Sequence, residues 1–247
     1  MLKKTVMIII FVIISAFYSF ADYKTGEKPV WGILEDTAYT LKMNEFNIDL
    51  WGPVTYGISD NLQIGTMYWI WFAQIANLSA KINILNEKNI IPSISAEAYY
   101  SQFSWAGKPD DGWYKFSAFA SKQLGQQMYL SLFCGYNLIS GKFASDGFSN
   151  GYMIDYSADP LLIIHAPDRW FYAGSSYVCN MSKISRFSVE ASLDAGYTNC
   201  LNIGVGFEFA IGDVLRTKLS LYTFVPFSSA PGWILPMIDL YWRFSVE

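Results

Sequence analysis

Twelve charged residues stand out because each interrupts a stretch that otherwise alternates between apolar and small side chains. The acids are Asp49, Glu97, Glu190, Asp194, Glu208 and Asp239, and the bases are Lys81, Lys115, Arg186, Arg216, Lys218 and Arg243. Charges of both signs aimed at one enclosed face can line a wet path for ions or polar solutes. They can equally pair with one another and lock that space shut. The residue types leave both readings open. A reaction centre is harder to build. The chain has no CxxC, HExxH or GxSxG, Gly204-Val205-Gly206 lacks a third glycine, and Gly141-Lys142 runs into Phe143 where a phosphate loop needs Ser or Thr. No metal site, no cofactor and no enzymatic activity are expected. The one histidine is His165, with Ser157 and Asp168 near it in sequence. A hydrolase acting on lipid or peptide through His165 is the alternative, and it requires a positioned nucleophile and an orienting partner.

The elements that must position these charges are strands. In Leu201–Phe224, Leu201, Ile203, Val205, Phe207 and Phe209 alternate with Asn202, Gly204, Gly206, Glu208 and Ala210. The pattern resumes after a Gly-Asp turn, with Leu215, Thr217, Leu219 and Leu221 against Arg216, Lys218, Ser220 and Tyr222. Side chains on a strand point to opposite faces with period two, so this is a hairpin with one greasy and one polar face. Each arm has the length of about ten residues that a tilted strand needs to cross a bilayer. The same reading places strands at Thr37–Lys42, Glu45–Ile58, Leu62–Phe72, Leu78–Asn83, Ile90–Phe103, Trp113–Leu124 and Met128–Ser140. It continues with Arg169–Cys179, Arg186–Gly196, Leu201–Ile211, Leu215–Val225 and Leu235–Ser245. The expected fold is therefore all-β: a closed antiparallel up-and-down transmembrane β-barrel of about 12 strands, within a range of about 10 to 14. Its first strand, near Thr37–Lys42, is expected to pair with its last.

Composition and the N-terminus agree with a barrel. Lys3 and Lys4 precede an apolar run, and Ser19 and Ala21 form a small-x-small site, so residues 1–21 read as a cleaved signal peptide. Residues 22–36 read as a periplasmic lead-in and residues 37–247 as the barrel. Aromatics at 18% and charged residues at 15% suit a protein that faces lipid with half of every strand. The net charge of −4, about −6 once Lys3 and Lys4 leave, argues against a nucleic-acid partner. A secreted soluble β-barrel is the other alternative. Cys134, Cys179 and Cys200 are an odd set, and the topology separates Cys179 from Cys200 by a membrane thickness, so no disulfide is expected.

Turn lengths support the topology. With the N-terminus in the periplasm, the turns at 59–61, 86–89, 125–127, 180–185 and 212–213 all fall on that side and are short. Those at 104–112, 141–168 and 226–233 fall outside and are long. The segment Gly141–Asp168 carries Phe143, Tyr152, Tyr156 and the run Leu161–Ile164, which are expected to extend the neighbouring strands and fold over the mouth.

The signal peptide, the alternating strands and the final Ile238-Asp239-Leu240-Tyr241-Trp242-Arg243-Phe244 together resemble bacterial outer-membrane β-barrel proteins. Thr40–Thr66 also looks like the opening hairpins of a group of such barrels. The resemblance implies residence in a Gram-negative outer membrane and contact with the lipid bilayer and lipopolysaccharide. It also implies recognition of Ile238, Leu240, Trp242 and Phe244 by the barrel-assembly machinery. The tail Ser245-Val246-Glu247 departs from the pattern, since these proteins usually end on the aromatic. A porin-like narrow channel or a structural envelope protein is implied, and no solute.

Overall fold

The computed structural model describes residues 28–30, 32–33, 35–50, 52–73, 75–103, 112–140, 153–154, 163–164, 169–182, 184–195, 200–211, 214–227 and 233–246. The expected signal peptide and His165 lie outside the described residues. Among the described residues, twelve antiparallel strands close into one barrel. They are β1 (Glu45–Asp49), β2 (Val54–Ser59), β3 (Leu62–Thr66), β4 (Ile75–Leu85), β5 (Ser93–Phe103), β6 (Gly112–Gln123), β7 (Met128–Ser140), β10 (Arg169–Asn180), β11 (Ser185–Ala195), β12 (Cys200–Ile211), β13 (Leu215–Pro226) and β14 (Trp233–Ser245). Two further short strands, β8 (Met153–Ile154) and β9 (Ile163–Ile164), pair with each other as a separate two-stranded sheet rather than extending β7 and β10. No helix among the described residues is long and apolar enough to cross a membrane, which says nothing against crossing with strands.

Period-two alternation sets the faces. On β12, Ile203, Val205 and Phe207 are exposed on the outside while Asn202, Gly204 and Gly206 are buried inside. Leu78 and Ile82 on β4, Phe116 on β6, Leu132 on β7 and Phe171 on β10 continue the exposed apolar belt around the wall.

The closing pair is β1 with β14, in register from Glu45↔Ser245 to Asp49↔Tyr241. Phe46 stacks on Phe244 at 5.6 Å and on Tyr56 at 4.4 Å, so aromatic packing seals the seam. This corrects the expected closure through Thr37–Lys42. That stretch is not a strand of the barrel, and the expected single strand Glu45–Ile58 is two, β1 and β2, turned at Gly52-Pro53. Proline cannot donate to the ladder, which favours the turn there. The two differences cancel in the count. The expected strand through Phe72 also stops early, at Thr66, and a 3-10 helix follows over Tyr68–Ala73.

One barrel end carries short turns, at 60–61, 86–92, 124–127, 181–184 and 212–214. Both β1 and β14 meet that end, at Glu45 and Ser245.

The expected periplasmic lead-in covers residues 22–36, and those of them that are described lie inside the barrel or at its mouth. Among the described residues, Lys28 sits beside Glu87 at the short-turn end, Gly32, Ile33, Glu35 and Asp36 lie deep against the inner wall, and Leu41 is back beside β3, so the segment folds into the lumen with the exposed Lys42 at its mouth. Thr37 N–H donates to Val30 O at 2.9 Å, and the Thr37 hydroxyl donates to Pro29 O at 2.6 Å across the bend. Val30, Ile33, Ala38, Tyr39 and Leu41 are all buried. Their burial replaces water against the inner wall, at roughly 1.5–3 kcal/mol for each large apolar side chain.

Candidate functional site: the lumen and its plug

Small inward side chains make the room. Ser93, Ser95, Ser121, Ser131, Ser188 and Ser220 are buried on the inner face. Gly204 also points inward. A Cβ there would come within 2.8 Å of the Tyr222 ring and 3.1 Å of Ile33 Cδ1, so its glycine leaves space for the plug.

The plug tip is held by charges from four different strands. Lys81 on β4 donates to Asp36 at 2.9 Å, and Lys115 on β6 to Glu35 at 2.9 Å. Glu190 on β11 accepts from the backbone N–H of Ile33 at 2.8 Å and of Glu35 at 3.3 Å. Lys218 on β13 donates to the carbonyls of Gly32 at 3.2 Å and Ile33 at 3.1 Å. Lys81 and Glu190 are each only 1% exposed. A charge this deep is costly unless paired and hydrogen-bonded, and here the plug supplies the partners. Gly32 is required at the bend, since a Cβ there would sit 2.5 Å from Glu190 Oε2.

Around the tip, Tyr172 donates to Glu35 at 3.4 Å and its ring lies 4.9 Å below Lys115 Nζ. Glu97 stands opposite Lys81 in the register and in the field of Asp36, Lys115 and Glu35. Ala38 packs into a cluster with Phe119, Phe133 and Tyr172. Its N–H donates to Ser121 Oγ at 2.7 Å, and its carbonyl accepts from Asn83 at 2.8 Å. Leu41 N–H donates to Gln63 Oε1 at 2.9 Å. Apart from the cross-strand pair Lys81–Glu97 and the contact of Lys115 with the Tyr172 ring, each of these contacts joins a wall strand to residues outside the barrel ladder.

The foot of the plug is pinned at Glu87, in the turn between β4 and β5. Lys28 reaches it at 2.9 Å, Lys122 at 3.1 Å, the Tyr39 hydroxyl at 3.0 Å and Gln123 N–H at 2.8 Å. Burial alone would raise the Glu87 carboxyl, but these donors outweigh it and hold its pKa at about 2. Burial, followed by the Glu87 charge, pushes the Tyr39 phenol well above its ordinary range.

The opposite wall settles its charges by register. Arg186, Glu208, Lys218 and Asp239 lie opposite one another across β11, β12, β13 and β14. Arg186 contacts Glu208 at 3.5 Å and donates to Asn180 at 2.8 Å. Asp49 faces Asp239 and accepts from Gly52 N–H at 2.8 Å. Arg243 pairs with Glu45 at 2.9 Å, and Asp194 accepts from Asn202 at 3.0 Å and from the buried Cys200 thiol at 3.4 Å. Arg216 is buried and donates to Leu215 O at 3.2 Å. Between this wall and Pro29 and Val30 there remains a polar cavity of about 20 Å³, room for roughly one water.

The structure thus gathers Lys81, Glu97, Lys115, Glu190 and Lys218 around the tip and sets the other seven sequence-derived candidates elsewhere on the inner wall. Sequence reasoning missed Lys28, Glu35, Asp36 and Glu87. The available signal was the small inward face: a barrel of twelve strands lined by serine and glycine leaves its centre to be filled. Among the described residues no group of His, Cys, Asp and Glu is arranged to hold a metal ion. Cys134, Cys179 and Cys200 are free thiols.

No protein-family model matches the chain, and no curated protein matches it. Solved structures do resemble it. A KdgM porin, in complex with disordered oligogalacturonate, is 6% identical with a TM-score of 0.46, over 82% of this chain and 97% of that one. The outer membrane channel DcaP of Acinetobacter baumannii is 10% identical with a TM-score of 0.39, over 92% and 70%. A bacterial polysaccharide outer membrane secretin is 10% identical with a TM-score of 0.46, over 85% and 78%. At these identities the likeness reaches no individual residue.

Proposed function

We propose that the chain is an integral β-barrel of the bacterial outer membrane and forms a channel that its own N-terminal segment closes. The exposed apolar belt would meet lipid and lipopolysaccharide, and the short-turn end would face the periplasm. Assembly would read Ile238, Leu240, Trp242 and Phe244 on β14. The observation that carries the channel reading is that the barrel closes through β1 and β14 without residues 28–42. What fills the lumen is held by side-chain and backbone hydrogen bonds, and both its ends lie at one mouth. Such a segment can leave without unpairing a single wall strand.

The test is to tether it. Ala38 and Ser121 are in contact, so Ala38→Cys with Ser121→Cys, in a background where Cys134, Cys179 and Cys200 are changed to serine, places a thiol on each side. In planar bilayers the reduced protein is expected to show stepwise openings and the oxidised protein none. If the reduced protein stays silent, and Glu35→Gln with Asp36→Asn does not open it either, the barrel is a structural element and no channel.

A further inference from the structure

The plug tip presents three kinds of group to the wall, and each of four wall residues answers one of them. The Glu190 carboxylate takes two peptide N–H groups of the bend, those of Ile33 and Glu35. The Lys218 ammonium takes two peptide carbonyls, those of Gly32 and Ile33. Lys115 and Lys81 each take one of two adjacent side-chain carboxylates, Glu35 and Asp36. An acceptor for amides, a donor for carbonyls and two cations spaced for neighbouring acids together describe a reader of peptide, not of a bare anion. A simple anion would satisfy the lysines and be repelled by Glu190.

We propose that Lys81, Lys115, Glu190 and Lys218 form a binding site for acidic peptide segments carrying two adjacent acidic residues, and that the plug tip occupies it as an internal competitor. The proposal rests on the reading of residues 28–42 as a displaceable plug. Three features fit a seat that outlasts its present occupant. The four residues come from β4, β6, β11 and β13, which the barrel ladder fixes independently of the plug. Lys115 is opposed in the register by Tyr99 and Asn137, and although the wall acid Glu97 lies in its field, the carboxylate it contacts is Glu35, which reaches it from the lumen. Serine and glycine on the inner face leave a passage wide enough for a polypeptide, since one already runs there.

The experiment uses the full chain in detergent, with correct folding checked by heat-modifiable gel migration. The plug is loosened in place by Glu35→Gln with Asp36→Asn. The probes are a fluorescent eight-residue peptide of unrelated sequence with Glu-Asp at its centre, the same peptide with Gln-Asn, and succinate as a free dicarboxylate. Loss of two charge-assisted bonds from the competitor is expected to raise affinity for the Glu-Asp peptide about 10- to 100-fold over the unaltered chain. The Gln-Asn peptide should show no such gain. Adding Lys115→Gln to the loosened chain should remove the gain, and adding Glu190→Gln should weaken the peptide while leaving succinate unweakened. Equal binding of both peptides, succinate competing as well as the Glu-Asp peptide, or no binding to a correctly folded loosened chain each overturns the site. The readout is anisotropy, so a barrel that binds the peptide but never conducts would overturn the channel and keep the seat.

Discussion

The wall of β4, β5 and β6 and the wall of β11 to β14 both reach the plug, but the first pairs its lysines with plug carboxylates, whereas in the second Glu190 and Lys218 bind the plug backbone and a row of charges lies opposite one another. Across β11 to β14 the register sets Arg186, Glu208, Lys218 and Asp239 opposite one another with alternating sign, so each charge has a neighbour on the next strand. Across β4 to β6 only Lys81 and Glu97 oppose each other, and Lys115 falls between Tyr99 and Asn137. There the partner comes from the lumen, as Glu35 and Asp36 of the plug. A cross-strand pair is local to the sheet, whereas the plug pairs span the barrel. The difference shows how a barrel can be stable and still depend on a separate segment for part of its electrostatics.

The sharpest way to break this comparison is to remove one cation from each wall. Lys115→Met removes the ammonium paired with the buried Glu35 and is expected to cost about 3–5 kcal/mol, the range for breaking a buried pair. Arg186→Met leaves Glu208 with Lys218 opposite and is expected to cost less, about 1–3 kcal/mol. Urea unfolding in lipid vesicles measures both, and equal losses would mean that the two walls do not differ. The lipid side of the self-paired wall supplies the next contrast. Phe207→Arg puts a charge on the exposed belt and is expected to cost about 2–4 kcal/mol, while Glu208→Gln on the inner face costs far less. Equal losses would show that the two faces are assigned wrongly.

Smaller changes bear on the plug itself. Gly32→Ala forces a Cβ against Glu190 Oε2 at 2.5 Å and is expected to loosen the tip by about 1–3 kcal/mol, the usual cost of overpacking. Hydrogen exchange should then quicken at Ile33 and Glu35 and not along β12 and β13. Uniform quickening would mean that the plug and the wall unfold together.

The smallest expected effect is on the foot. Glu87 has a depressed pKa of about 2, so its anchoring is fully present above its ordinary carboxylate range and is lost as pH falls through about 2. Pepsin should therefore cut near Tyr39 and Leu41 only toward the acid end of that window. In Glu87→Gln the protection should be weaker and flat with pH. A wild-type foot already released at pH 4 would contradict the anchor.

The strands, their two faces and the even closure were legible because alternation is a local property. Ile203, Val205 and Phe207 against Asn202, Gly204 and Gly206 need no knowledge of the neighbouring strand to be sorted. The Glu45–Ile58 stretch misled because its alternation runs through Gly52-Pro53, and only pairing with β14 on one side and β3 on the other shows where the turn must be. Residues 28–42 misled because a plug has no period. Val30, Ile33, Ala38 and Leu41 follow neither a strand nor a helix, and Thr37–Lys42 is short enough to pass for a strand.

The amino-acid sequence by itself determined a closed barrel with a greasy outside and a charged inside, since each strand encodes its own faces. What fills the inside was decided only by tertiary structure. Glu190 meets Ile33 across 157 residues of chain, and Lys218 meets Gly32 across 186. Such contacts depend on the register of every strand between them, since a shift of one residue would turn these side chains to the lipid face. Glu35 and Asp36 look like ordinary solvated acids until the closed wall brings Lys115 and Lys81 to them from strands that lie far along the chain.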